Sequence, residues 1–249
     1  KLLPEDGYLI INGDIENVET ILDGVKAKVI TFGQKSSYDY YPADIEFNEK
    51  GSASYTLKSA AGDSRVQLSV VGEHNVYNSL SAIALSDILG IERDKSVASV
   101  GRFTGTDRRF ELKGKLGGIN IIDDYAHHPT EIKATLTAAK NYPHDKLWVV
   151  FQPHTYTRTK AFLQEFADAL TIADAVILTD IYAAREKNTI GISSKDLLAK
   201  LVEKGKESYY FSSFDEIENF ILEKCSNNDM LITMGAGDVV KIGEHLLGQ

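Results

Sequence analysis

After Asp107 the sequence settles into an alternation of short apolar runs with helical segments, and few folds accept that pattern. The runs are Ile119 to Asp123, Leu147 to Phe151, Ala175 to Thr179, Ser208 to Phe211 and Met230 to Met234. Each is long enough to cross a small sheet and too short for a stable helix. Most are apolar at nearly every position rather than at every second one, so both faces of the sheet must be covered. Between them, Thr130 to Lys140, Lys160 to Leu170, Ser194 to Glu203 and Phe214 to Lys224 read as amphipathic helices. Ile132, Leu136 and Ala139 mark one stripe, and Phe162, Phe166 and Leu170 another. Such crossovers permit parallel pairing, so the pattern predicts an α/β domain with a mostly parallel sheet. Ligands of such sheets bind beyond the carboxyl ends of the strands, which singles out the residues that follow each run.

Residues 1 to about 72 read instead as strands and turns. Tyr8 to Asn12 and Lys28 to Phe32 are apolar runs, Val66 to Val71 alternates in part, and Ala53 to Lys58 lies between two turn clusters. A helix follows with Val76, Leu80, Ile83 and Ile88 near one stripe, and Gly90 suits the left-handed position that ends it. A second helix is expected from Ser96 toward Gly105. The expected domain boundary falls there, dividing the chain into residues 1–105 and 106–249.

Composition narrows the function classes. The formal net charge of -9 opposes an extended nucleic-acid backbone. No apolar run approaches the ~18 residues of a membrane-spanning helix. The amino terminus lacks the features of a signal peptide, and a lone cysteine, Cys225, forms neither an intrachain disulfide nor a thiolate metal site. The expectation is a cytoplasmic protein. Of seven arginines, Arg108, Arg109 and Arg158 fall beside histidine or glycine motifs, an arrangement suited to a small anionic ligand.

Two strand ends carry the polar motifs. The first reads Asp123-Asp124-Tyr125-Ala126-His127-His128-Pro129-Thr130-Glu131. Pro129 fits a first helical turn, placing the histidines where free N–H groups and the helix dipole favour an anion. Asp124 is a candidate for sugar hydroxyls, and Tyr125 and His127 for polar contacts; alternatively Asp124 and His128 act as helix caps. The second reads Phe151-Gln152-Pro153-His154-Thr155-Tyr156-Thr157-Arg158-Thr159. His154 and Arg158 stand at the strand end and in the next helical turn, where Arg158 either grips a carboxylate or phosphate or pairs with Asp180 or Glu165. An arginine in a first turn is unfavourable for the helix itself. Asn75 reads most simply as a capping residue. Arg108 and Arg109 read as phosphate ligands or as solvated charges, and Gly235-Ala236-Gly237-Asp238 as a tight turn with no further role.

Together with Gly72-Glu73-His74-Asn75-Val76-Tyr77-Asn78 and Phe103-Thr104-Gly105-Thr106-Asp107-Arg108-Arg109-Phe110, these blocks resemble the Mur ligases in order and spacing across nearly the whole chain. The resemblance implies the end of a central ATPase domain followed by a Rossmann-like C-terminal domain. It implies an ATP-dependent, Mg²⁺-assisted amide ligase that joins L-alanine to UDP-N-acetylmuramate through an acyl phosphate. By the same resemblance His74 and Asn75 map to adenine, Asp124 to ribose and Arg109 to a phosphate. Tyr125, His127, His154 and Arg158 map to the muramyl-alanine end, with Arg109, His127 and Arg158 as the catalytic candidates. Thr155 stands where some members carry arginine. No Gly-x-x-Gly-Lys-Thr phosphate loop occurs here, so the triphosphate and metal ligands are expected upstream of Lys1, and the chain alone is expected to be inactive. The alternatives are a related recycling ligase that adds murein tripeptide to the same nucleotide, and a non-catalytic nucleotide-binding module of this fold.

Overall fold

The computed structural model describes residues 2–249. Backbone contacts separate it into two compact units, residues 2–104 and Gly105–Gln249.

The first unit contains β1 (Tyr8–Asn12), α1 (Val18–Leu22), β2 (Lys28–Phe32), β3 (Tyr40–Phe47), β4 (Ser52–Ser59), β5 (Ser64–Val71), α2 (His74–Ile88) and α3 (Arg93–Arg102). The strands form one sheet in chain order, parallel from β1 to β3 and antiparallel from β3 to β5. The helix α2 buries Val76, Leu80 and Ile83 against Tyr55, Leu57 and Val66. Inside that core the Tyr55 hydroxyl meets the Ser79 hydroxyl at 2.6 Å, which satisfies both groups where water is absent. Gly90 adopts φ +73°, as expected of the residue that stops this helix. Three readings need correction. β3 was not expected, because Pro42 and Asp44 interrupt its alternation. The second helix runs from Arg93 to Arg102, a turn earlier than expected. Asn75 does not cap α2: it lies inside the first turn and its amide donates to the Val71 carbonyl at 2.8 Å.

The second unit contains β6 (Glu111–Leu116), β7 (Ile119–Asp124), α4 (Pro129–Ala139), β8 (Leu147–Phe151), α5 (Tyr156–Ala161), α6 (Leu163–Leu170), β9 (Ala175–Leu178), α7 (Ser194–Glu203), β10 (Glu207–Tyr210), α8 (Phe214–Lys224), β11 (Met230–Met234) and α9 (Val240–Leu246). Its sheet has the order β10-β9-β8-β11-β7-β6. All neighbours are parallel except β6, which pairs antiparallel with β7. On β8, Leu147, Val149 and Phe151 pack on one face, with Leu136 and Phe166, while Trp148 and Val150 pack on the other, with Ile217 and Ile242. That division is why the run is apolar at every position. The edge strand β6 carries Glu111, Lys113 and Lys115 and a register shift between Leu112 and Gly114, where an added Cβ would lie 2.9 Å from Leu247. Its charges and glycine hide it from a search for apolar runs. The single helix expected from Lys160 to Leu170 is interrupted at Phe162, whose φ of -115° separates α5 from α6. The Phe162 ring instead packs edge-on against His128, 4.8 Å between centroids.

Candidate functional site

The parallel register aligns Asp124, Met234 and Phe151 at the carboxyl ends of β7, β11 and β8. Everything that follows these three residues projects from the same edge of the sheet. The Gly235 N–H donates to the Asp124 carbonyl at 3.0 Å, and the Gln152 N–H to the Met234 carbonyl at 3.0 Å.

Beyond β7 the chain turns into α4 through a reciprocal cap. The His128 ring accepts from the Thr130 N–H, and Glu131 Oε2 accepts from the N–H groups of His127 and His128 at 3.0 and 3.2 Å. His128 is therefore a cap, as the simpler of the two readings had it. His127 points elsewhere. Its Nδ1 lies 2.9 Å from the Tyr125 carbonyl and 3.4 Å from Glu131 Oε2, both of which only accept, so Nδ1 carries a proton and Nε2 is the acceptor of the neutral ring.

Asp124 is 5% exposed. Its oxygens accept from the Phe110 and Ala126 N–H groups at 2.9 and 2.8 Å, and the Thr135 hydroxyl also favours its charged form. Burial holds this carboxyl above its ordinary pKa, against the pull of those donors. Of roughly four lone-pair positions on a carboxylate, the two backbone donors take two.

Beyond β8 the chain reaches His154, whose ring stacks on Tyr182 at 5.6 Å and meets His127 edge-on at 5.8 Å. Tyr125 contacts His127 at 5.4 Å, so four aromatic rings form a row along the sheet end. Arg158 Nη1 lies 3.4 Å from His154 Nδ1. A guanidinium only donates, so this nitrogen is unprotonated. Burial first, then the positive charge of Arg158, lowers the His154 pKa below the ordinary histidine value. Arg158 makes no ion pair among the described residues; Asp180 accepts instead from the Tyr210 hydroxyl at 2.6 Å. Thr155 adopts φ +67°, an uncommon conformation for a β-branched residue.

The adjacent arginines divide. Arg108 is a structural latch: Nε bonds Asp123 Oδ2 at 2.9 Å, and Nη1 and Nη2 donate to the Gly237 and Gly235 carbonyls at 3.2 and 2.7 Å. Its guanidinium also covers the Tyr125 ring at 4.9 Å. Arg109 is exposed, with its guanidinium 5.7 Å from the same ring. The glycine turn, given no role from sequence, is required sterically. A Cβ at Gly235 would lie 2.7 Å from the Gln152 carbonyl oxygen, and one at Gly237 would strike the Gln152 amide and the Tyr182 ring. Gln152 in turn donates to Asp238 at 2.8 Å and accepts from the Val239 N–H.

The second unit thus brings together Tyr125, His127, His154 and Arg158, with Arg109 at the Tyr125 ring and Asp124 buried behind them. His74 and Asn75 open α2 in the first unit. Sequence reasoning missed Gln152, Tyr182 and Glu186, which support the row from neighbouring loops. The only available signal was that each follows or lies near a strand end. Among the described residues no group of three or more His, Cys, Asp or Glu is placed to hold a metal ion. Among the described residues no helix is long and apolar enough to cross a membrane.

A mostly parallel sheet with cationic and imidazole groups gathered at its carboxyl edge has the layout of a site for a small anionic ligand, and sequence comparison gives the family. The Mur ligase glutamate ligase domain matches residues 108–237 and the Mur ligase middle domain residues 1–86. The chain belongs to the Mur ligase family. It is 57% identical to a UDP-N-acetylmuramate–L-alanine ligase of Agathobacter rectalis, over 97% of this chain and 53% of that protein. A protein of the same description from Lachnoclostridium phytofermentans is 51% identical, over 99% of this chain and 55% of its own length. Among solved structures, the UDP-N-acetylmuramate-alanine ligase of Thermotoga maritima superposes with a TM-score of 0.76 at 28% identity, covering 97% of this chain and 59% of that one. A murein peptide ligase of Psychrobacter arcticus gives 0.73 at 26%, covering 99% and 52%. The chain spans about half the length of the curated relatives it matches.

Proposed function

We propose that residues 1–105 are the end of the central ATPase domain, and residues 106–249 the C-terminal domain, of a cytoplasmic ligase. That ligase joins L-alanine to the lactyl carboxylate of UDP-N-acetylmuramate. The convergence of Tyr125, His127, His154 and Arg158 at one sheet end carries this reading, in a chain whose relatives bear that activity in their names.

ATP supplies the phosphoryl group that converts a carboxylate, a poor acyl donor, into an acyl phosphate. The residues here fit it unevenly. Arg109 is exposed and suits a phosphate. Asp124 retains acceptor positions for a ribose hydroxyl. The Asn75 amide donates one hydrogen to Val71 and accepts once from Asn78, which leaves a second N–H and a second lone pair for an adenine contact. Among the described residues no group of three or more His, Cys, Asp or Glu side chains is placed to hold Mg²⁺.

The chain's own groups have definable tasks. Arg158 holds the anionic end of the amino acid or muramyl substrate, and His154 shares that anchoring through its Nε2 proton. His127 Nε2 accepts a proton from the attacking amine. Arg109 and Arg158 offset the negative charge that accumulates on phosphoryl oxygens and on the tetrahedral oxyanion. Strand ends and a helix start hold these groups in place before the reactants arrive. The test is phosphate release by the full-length protein. The reading requires dependence on both UDP-N-acetylmuramate and L-alanine. Dependence on murein tripeptide would identify the recycling activity, and release without either acceptor would refute both.

A further inference from the structure

Glu186 lies in the loop after β9, outside every motif quoted above, and accepts from two neutral donors of Thr157 in the first turn of α5. Its Oε2 takes the Thr157 N–H at 2.9 Å and its Oε1 takes the Thr157 hydroxyl. The Tyr156 N–H and the Thr155 hydroxyl also face it and favour its charged form.

The segment it binds needs that support. The helix α5 has only six residues, and Thr155 at its start provides no side-chain cap while holding a positive φ. A helix that short does not persist unaided, and its first N–H groups have no internal partners. The loop after β9 supplies what is missing. The Tyr182 N–H donates to the Pro153 carbonyl at 2.8 Å and its carbonyl accepts from the Thr155 N–H at 2.9 Å, bracketing His154. Glu186 continues the same template over residues 155 to 157, and Arg158 is the next residue. A carboxylate here also offsets the unfavourable placement of an arginine near a helix start. Glu186 forms no ion pair among the described residues, so it fixes the segment without neutralising the Arg158 guanidinium.

We propose that Glu186 is a positioning residue that sets the place of Arg158 and, through it, His154, for the anionic end of the substrate; the substrate half of this inference rests on the ligase reading. Two measurements test it. In the 249-residue chain with isotopically labelled histidine and arginine, NMR reads the His154 ring nitrogens in the parent, Glu186→Ala, Glu186→Gln and Arg158→Gln. The His154 signals of Glu186→Ala should move toward those of Arg158→Gln, while His128 and His245 stay in place. Glu186→Gln keeps a carbonyl for the Thr157 N–H and should restore the parent signals in part. Unchanged His154 signals in folded Glu186→Ala, or signals that move away from those of Arg158→Gln as loss of the Glu186 charge alone would move them, overturn the proposal; should that variant not fold, the direction of the shift in Glu186→Gln decides in the same way. In the full-length ligase, Glu186→Ala should raise KM for the anionic acceptor about ten- to a hundredfold with little change in KM for ATP. A lower melting temperature with unchanged KM would reduce Glu186 to a stabilising residue and overturn the proposal. A parent without ligase activity would instead refute the reading of function, and the NMR arm would still decide the role of Glu186.

Discussion

Arg109 and Arg158 carry the same charge in different settings, and substitution should separate them. Arg109 is exposed beside Tyr125, so Arg109→Ala in the full-length protein should leave the fold intact and weaken ATP use or turnover. The loss of a charge-assisted phosphate contact costs about 1.5–3 kcal/mol, or about ten- to a hundredfold in rate. Steady-state rates within about twofold of the parent would remove Arg109 from the site. Arg158→Lys keeps the charge and loses the planar fork, so it should remain impaired; parental rates would reduce the contact to a diffuse charge effect. His154 gives a pH signature. Its folded-state pKa lies below that of the unfolded chain, so its contribution to stability is complete above pH ~6.5 and falls away as pH drops through the lowered value. An NMR titration should find His154 titrating below ordinary histidines. Since Arg158 is one cause of the depression, Arg158→Gln should move that titration upward. A His154 that titrates in the ordinary range would show that Arg158 and burial do not act on it as described.

At the scale of elements, the turn after β11 is where backbone geometry leaves least room. Gly235→Ala would place a Cβ 2.7 Å from a backbone oxygen, at a φ of +148° that side chains rarely adopt. The strain should cost about 1–3 kcal/mol, read as a lower urea midpoint with an unchanged slope. A variant as stable as the parent would show that the turn relaxes without penalty. The central strands β8 and β11 were legible because Leu147 to Phe151 is apolar at every position and Met230 to Met234 at every position but Thr233, a pattern that follows from two covered faces. β3 and β6 were not, since Pro42 interrupts one and Gly114 with two lysines masks the other. The row of Tyr125, His127 and His154 was legible because its members directly follow such strands. Tyr182 and Glu186 were not, because their partners lie 28 and 29 residues away in sequence, at His154 and Thr157, and local spacing carries no record of a pairing made through the sheet. The break at Phe162 was hidden for a similar reason, since the helical period of α6 continues through it.

For the whole molecule, the 249-residue chain should be catalytically inactive by itself, with at most a weak grip on adenosine. No phosphate loop occurs within it, and neutralising a γ-phosphoryl group in transfer requires a cationic cradle of that kind. The proposed adenine and ribose contacts lie on separate units, so residual affinity should be no better than about millimolar. Acceptor-dependent phosphate release at a rate typical of such ligases would place the whole apparatus within these residues and refute the domain assignment. Sheets that end in a flat apolar strand recruit further strands from other molecules, in a crowded ribosome queue as readily as in a test tube. β6 runs against the direction of its neighbours, carries Glu111, Lys113 and Lys115, and shifts register at Gly114. An incoming chain would meet mismatched hydrogen-bond spacing and the exposed charge of Lys115 along that border, so this side of the domain is defended against fibrillar growth by residues that also made the strand hard to recognise.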